Sequence, residues 1–370
     1  MIIKYSVNNE INRVIIKKDI TKVISTELNK LNSDKKLLLI FDKNISGEII
    51  ENIFSFLKLS GFKIYVLKLE GSKKNKNEKY LFKIIDFLIE KKFTKNSIIL
   101  SCCGGVIGDL AALASSLYLR GLIYCHVPTT MTAIVDSCIG GKTAINYKGI
   151  INSFGNYFHP RIVFIFDEII QKIPEREYKS GLPEILKCGL IKKNKILHLL
   201  ERNKEKIIKR DFKIVQKICS ETLKTKIFFF INDISEKNKR LNLNFGHTFA
   251  HAIEMALNFK NKKDFIQHGE AVGLGILCEI FYSNSKKNNL YFRVKNILDS
   301  YLLISDLKKK LPININKTDL HKKIFLNIFL DKKKIGIYPR YISLKRIYKS
   351  SVAEIDNMSK LNETIYNLIN

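Results

Sequence analysis

The stretch Ser97-Ile-Ile-Leu-Ser-Cys-Cys-Gly-Gly-Val-Ile-Gly-Asp109 passes from an apolar, partly β-branched run straight into a helical pattern, with glycines at 104, 105 and 108 at the join. Such a join predicts a strand, a tight turn and a helix. Glycine lets the backbone come close to a pyrophosphate, and the helix N-terminus offers unpaired N–H groups and a positive dipole end to it. Outward from this turn, apolar runs at 36–41, 63–69, 122–127 and 161–166 join 97–103 as strands, and helical patterns cover 47–57, 78–90 and 109–119. Strand and helix alternating at this spacing predict an α/β unit, a parallel sheet with helices on both faces. Read as G-x-G-x-x-G, the turn carries Cys103 in first place, and no acidic residue closes a strand about 20 residues further on. The candidate ribose-binding carboxylate is instead Asp42, upstream, at the end of the 37–41 run.

Beyond Pro174 the texture changes to long helical patterns, 175–192, 204–230 and 247–257, with few strand candidates, so the chain is expected to divide into 1–174 and 175–370. With 46% hydrophobic and 27% charged residues the composition is globular rather than disordered. No apolar run approaches the roughly 18 residues of a membrane span, and the N-terminus lacks a secretory pattern. Seven cysteines without a C-x-x-C pair fit reduced thiols, hence a cytoplasmic protein. The net charge of +29 invites a nucleic-acid reading. The lysines, however, are spread over nearly every segment, as a coding sequence biased towards Lys, Asn and Ile would leave them, and neither nucleic acid nor membrane is expected as a partner. The loop 71–79, GSKKNKNEK, reads as solvated surface.

Three of the seven histidines, His247, His251 and His268, fall within 22 residues, each near the start of a helical pattern. Imidazoles so gathered suit Zn²⁺, and Glu184 in Ser180-Gly-Leu-Pro-Glu-Ile-Leu-Lys187 is the best carboxylate to complete a three-ligand site. Spacing alone leaves open which two histidines are ligands, and the i, i+4 pair nominates His247 with His251.

Taken in order, these segments resemble the 3-dehydroquinate synthase family, from about residue 42 to 333. The resemblance rests on Gly105-Val-Ile-Gly-Asp109, Tyr118-Leu-Arg-Gly121, Val127-Pro-Thr-Thr130, Val135-Asp136, Gly140-Gly-Lys-Thr143, Asn152, Glu184 with Lys187, Asn244-Phe-Gly-His-Thr248, His251-Ala-Ile-Glu254 and His268-Gly-Glu-Ala271. It implies a Rossmann-like NAD domain, a helical metal domain, an active site in the cleft between them, a homodimer, and Zn²⁺ or Co²⁺ beside NAD. The implied reaction turns a sugar phosphate, 3-deoxy-D-arabino-heptulosonate 7-phosphate, into 3-dehydroquinate and phosphate, the second step of the shikimate pathway.

Carried over by position, the resemblance makes Glu184, His247 and His268 the metal ligands and His251 a substrate contact beside them. Asp109, Thr129 and Thr130 fall at NAD-contacting positions, with Gly105, Val106, Ile107 and Gly108 forming the turn. Asp136, Lys142, Asn152, Lys187, Lys226, Arg240 and Asn244 fall at substrate positions, Lys142 also at the cofactor. Arg120 resembles a residue that reaches into a neighbouring subunit's phosphate site, and Lys332 in Asp331-Lys-Lys333 a further substrate contact. A phosphate monoester of about −1.5 to −2 charge plus a carboxylate calls for such a ring of cations. The chain departs from the family at Ser72, Cys103, Ile151 and Lys172, all around NAD, which predicts weaker cofactor affinity with unchanged chemistry. Another sugar phosphate cyclase, a metal-dependent alcohol or glycerol dehydrogenase, and a non-catalytic nucleic-acid binder are the competing readings. The Gly140-Gly-Lys-Thr143 segment argues against the dehydrogenases, and Arg240 with Lys226, suited to a carboxylate, against other cyclases.

Overall fold

The computed structural model describes residues 1–20, 22–31, 33–258, 265–303, 307–312, 315–330 and 337–370. The chain folds as two units, Met1–Pro174 and Glu175–Asn370.

The first unit is built on nine strands: β1 (Ile2–Val7), β2 (Glu10–Lys17), β3 (Lys36–Asp42), β4 (Lys63–Leu69), β5 (Ile98–Cys103), β6 (Ile123–Pro128), β7 (Lys142–Tyr147), β8 (Ile150–Tyr157) and β9 (Ile162–Phe166). Seven of them form one sheet in the order β1-β2-β9-β6-β5-β3-β4, parallel except for the β1–β2 pair. The period-2 alternation of side chains is visible along β3. Leu37 and Leu39 pack with Ile53 and Leu57 on one face, while Leu38 and Ile40 pack with Leu81, Ile84 and Leu110 on the other. Helices on both faces require strands apolar throughout, and β5 and β9 are buried along their whole length. Each Leu or Ile so buried contributes about 1.5–3 kcal/mol.

Four strands that the apolar runs did not reveal are local hairpins. Asn8 and Asn9, at φ 51° and 63°, turn β1 into β2, and Lys148 and Gly149, at 47° and 77°, turn β7 into β8. Paired left-handed residues of this kind are the sequence mark of two-residue hairpins. The helix after β5 runs Gly105–Leu117, so it starts at the glycine turn itself and not at Asp109.

The second unit is mostly helical, with a C-terminal hairpin of β10 (Arg340–Arg346) and β11 (Lys349–Glu354). The helix expected over 175–192 is two, Glu175–Ser180 and Leu182–Ile191, because Gly181 and Pro183 interrupt the pattern. That expected over 204–230 is likewise Lys204–Ile208 and Phe212–Phe230. There Arg210 adopts φ 57° and the Asp211 carboxylate caps the new helix by accepting from Ile214 N at 3.0 Å. Among the described residues no helix is long and apolar enough to cross a membrane.

Candidate active site

In the first unit the candidate cofactor residues gather at the carboxyl ends of β3, β5 and β6. Helical connections leave β3 and β5 in opposite directions across the sheet, so the crevice beside them is a switch point, where open α/β sheets bind ligands. Asp42 ends β3 and its Oδ1 accepts from Asn44 N at 3.0 Å. The chain after β4 passes directly over it, since a Cβ on Gly71 would stand 2.1 Å from Asp42 Oδ2. Ser72 follows in extended conformation. Gly104 caps the helix that carries Val106, Ile107, Gly108 and Asp109, and a Cβ there would lie 3.0 Å from Thr130 Cγ2. Thr129 N donates to Cys103 O at 3.1 Å, which ties the two loops together.

Cys103 is the last residue of β5, fully buried and without a positive φ, so no glycine conformation is lost there. Burial pushes its thiol well above the usual range, and it stays protonated.

The loop 71–79 is not all solvated surface. Lys76 places its ammonium 2.5 Å from Asp109 Oδ2 and 2.6 Å from Asn152 Oδ1, tying the glycine-turn helix to β8. A cation therefore stands beside Asn152 although position 151 is an isoleucine, itself 58% exposed. Lys172 pairs with Glu48 at 2.5 Å. Asp136 lies in the short π-helical segment Ala133–Ser137, and the exposed Lys142 opens β7 directly after Gly140 and Gly141, at φ 96° and 68°. Arg120 is exposed, and among the described residues it makes no ion pair. It and Leu119 hold φ 63° and 50°, a strained pair for bulky residues.

In the second unit, glycines draw the metal candidates together. A Cβ on Gly269 would stand 1.5 Å from Ser180 O, and one on Gly275 1.9 Å from Gly246 O. The missing side chains at these glycines let the helix His268–Asn284 lie against Ser180 and the turn before the helix His247–Asn258. Glu184, 1% exposed, thereby receives two imidazoles: His247 Nε2 at 3.5 Å and His268 Nε2 at 3.4 Å from its Oε1. The three donor atoms lie within 4.8 Å of one another. Donors of a tetrahedral zinc site with bonds of about 2.1 Å stand about 3.4 Å apart, so this arrangement fits such an ion. The other imidazole nitrogens are also engaged, His247 Nδ1 with Phe245 O at 3.2 Å and His268 Nδ1 with Glu254 Oε2 at 3.1 Å. With Nδ1 donating, each Nε2 would present its lone pair to an ion.

His251 stands beside the set, its ring centroid 5.5 Å from that of His247, and is not one of the three converging donors. The i, i+4 pair thus shares a helix face without sharing the donor triangle. Burial penalises the Glu184 carboxylate, but the Lys187 ammonium paired with it and His268 outweigh this and hold it well below the usual carboxylate range.

Lys187, Lys226 and Arg240 are 1%, 6% and 4% exposed, on elements that pack against one another. Arg240 donates to Ile234 O at 2.7 Å and lies over Phe230. Its loop is folded about Asp233, whose carboxylate accepts from the N–H groups of Lys237, Asn238 and Arg240 at 2.8–2.9 Å. Asn244 Nδ2 donates to Glu236 Oε1 at 2.7 Å. Lys332, with the run Asp331-Lys-Lys333, lies outside the described residues.

Sequence reasoning gave no role to Lys76, Asp233, Glu236 or Glu254. Only Glu254 carried a signal, since it follows His247 and His251 at helical spacing. Replacing Glu254 by Gln is expected to weaken divalent-metal affinity 10- to 100-fold, read by metal-competition titration, because a neutral amide orients the His268 ring and raises its basicity less than a carboxylate does. Equal affinity in the variant would leave Glu254 without that role.

Solved structures of the same fold include 2-deoxy-scyllo-inosose synthase complexed with carbaglucose-6-phosphate, NAD⁺ and Co²⁺, at TM-score 0.83 and 22% identity over 99% of both chains. Another is 2-epi-5-epi-valiolone synthase from Streptomyces hygroscopicus subsp. jinggangensis 5008 with NAD⁺ and Zn²⁺ bound, at 0.82 and 19% over 98% of this chain and 97% of that one. The fold is thus that of the sugar phosphate cyclases, a Rossmann-like sheet unit followed by a helical one. Curated relatives include the 3-dehydroquinate synthase of Prochlorococcus marinus (strain MIT 9312), 34% identical over 92% of this chain and 93% of the relative. That of Clostridium beijerinckii (strain ATCC 51743 / NCIMB 8052) is 32% identical over 91% and 93%. The chain belongs to the 3-dehydroquinate synthase family: the family's N-terminal profile matches residues 66–180 and its C-terminal profile 181–334.

Proposed function

We propose that the chain converts 3-deoxy-D-arabino-heptulosonate 7-phosphate to 3-dehydroquinate and phosphate, residues 1–174 binding NAD and 175–370 binding Zn²⁺ or Co²⁺. The observation that carries this reading is the set of three nearly buried cations, Lys187, Lys226 and Arg240, on elements packed around the Glu184–His247–His268 triangle. So dense a set of lysine and arginine side chains suits a substrate that brings a carboxylate and a phosphate. When bound, NAD would take up and return a hydride, and the metal would polarise the hydroxyl at the carbon to be oxidised.

The chain's own residues mainly hold charge. Arg240 and Lys226 suit the carboxylate, Arg240 through its planar fork. Lys142 and Asn152 take the phosphate: Lys76 occupies Asn152 Oδ1 at 2.6 Å, so the amide is turned to donate. His251, beside the metal-binding imidazoles, and Asp136 border the reacting atoms and can hold a proton. Little general-base power is needed if the leaving phosphate accepts the proton lost in its own elimination.

We also infer a homodimer in which Arg120 completes the partner's phosphate site. Its support is the strained Leu119–Arg120 pair together with β8, exposed along all eight residues and carrying Ile150, Ile151, Phe154 and Tyr157 outward. Seven cysteines, all buried and none in a disulfide, suit a reducing cytoplasm.

Phosphate release from the heptulosonate phosphate is expected to require NAD, to stop with chelator, and to proceed with no net NADH absorbance. One NADH per product would instead make the protein a dehydrogenase.

A further inference from the structure

The core beneath the glycine turn contains a polar chain that neither the fold nor the reaction requires. Ser101, Tyr124 and His126 are all at most 4% exposed, on two central strands that are otherwise apolar. Ser101 and His126 are direct partners in the β5–β6 ladder, and Tyr124 precedes His126 by two residues, on the same face. That face is covered by the helix Gly105–Leu117.

Three hydrogen bonds join them. Ser101 Oγ lies 2.7 Å from His126 Nδ1 and 2.9 Å from the Tyr124 hydroxyl, and that hydroxyl donates to Gly108 O at 3.2 Å. The imidazole also abuts the helix, since a Cβ on Gly108 would lie 3.3 Å from His126 Cε1. Burial lowers the His126 pKa to about 4, so the ring is neutral at physiological pH and has one donor and one acceptor to place. One nitrogen serves Ser101. The ring also lines a cavity of about 20 Å³ together with Asp109, Ser137 and Lys142, room for a single water.

We propose that Ser101, Tyr124 and His126 are positioning residues that fix the first turn of the helix Gly105–Leu117, and with it Asp109, for the cofactor. The physical reason is directional. Apolar contacts hold the helix on the sheet but leave it free to slide or rotate by fractions of an ångström. A hydrogen bond to a first-turn carbonyl fixes the rotation, and so the aim of the N–H groups that a pyrophosphate would meet. Gly108 then serves by admitting the imidazole, which is a packing role distinct from close approach to the ligand.

The inference rests on the cofactor reading above, and its test separates the two. NADH fluorescence titration, steady-state kinetics in NAD and thermal melts are run on metal-loaded wild type, Tyr124→Phe, Ser101→Ala, His126→Leu and His126→Gln. Tyr124→Phe and Ser101→Ala, which remove one hydroxyl each, are expected to raise the NADH Kd and the NAD half-saturation about five- to tenfold, with kcat at saturating NAD within twofold. His126→Leu should do the same, and His126→Gln, which retains a partner for Ser101, should recover most of the loss. A lower Tm with unchanged NADH Kd in both hydroxyl variants would reduce the network to a structural role and overturn the proposal. A wild-type chain that binds no NADH would overturn the cofactor reading itself.

Discussion

Replacing His268 by Ala is expected to remove the bound divalent metal and at least a thousandfold of the activity together. Glu184 and His247 alone leave two donors for an ion that takes three protein ligands at a catalytic site. His268 is the informative choice of the three. It lies at the start of its helix with its side chain a third exposed, so its loss leaves little strain behind. Glu184→Ala would instead abandon the Lys187 ammonium inside the protein, and breaking such a buried pair costs about 3–5 kcal/mol in stability. Inactivity there would confuse unfolding with metal loss. Elemental analysis of desalted His268→Ala, alongside a thermal melt, is therefore the measurement. Full metal occupancy in a folded His268→Ala would refute the ligand assignment.

Much of the architecture was legible because it rests on local patterns. β4 and the helix Glu78–Glu90 fall where their apolar periods put them, β3, β5 and β9 differ by one residue at one end, and β6 is shifted by one residue at both. The hairpins were missed for the opposite reason. β8 is exposed on every residue, so no burial pattern marks it, and only the turn Lys148-Gly149 does. The metal triangle shows where spacing stops being informative. His247 and His251 share a helix face, yet the third donor beside Glu184 comes from the next helix, placed there by Gly269 and Gly275, whose missing side chains no periodicity reveals. Lys76 was illegible altogether, one cation in a charged loop whose partners Asp109 and Asn152 lie far along the chain. Its position and the extended backbone at Cys103 bear on two of the four departures behind the expected weaker cofactor binding; Ser72 and Lys172 are the other two.

Two chains that are each inactive are expected to regain about a quarter of wild-type activity when they assemble at random. On the proposed reading, Arg120→Ala and Lys142→Ala should each lower the rate at least a hundredfold, because each would take a full charge from the phosphate that leaves in the reaction. If Lys142 acts within its own chain and Arg120 in its partner's site, one of the two sites in a mixed dimer holds both cations and the other neither. Half of the dimers in an equal, random mixture are mixed, which gives about a quarter of the sites intact. The geometry favours this division of labour. Lys142 follows two left-handed glycines within the first unit, while Arg120 stands exposed on a strained turn and makes no ion pair among the described residues. Co-expression with two affinity tags isolates the mixed species, whose rate per dimer should be half that of wild type. A tagged mixed dimer with no more activity than its parents would place Arg120 and Lys142 in the same subunit's site, or Arg120 outside it, and the shared site would fall.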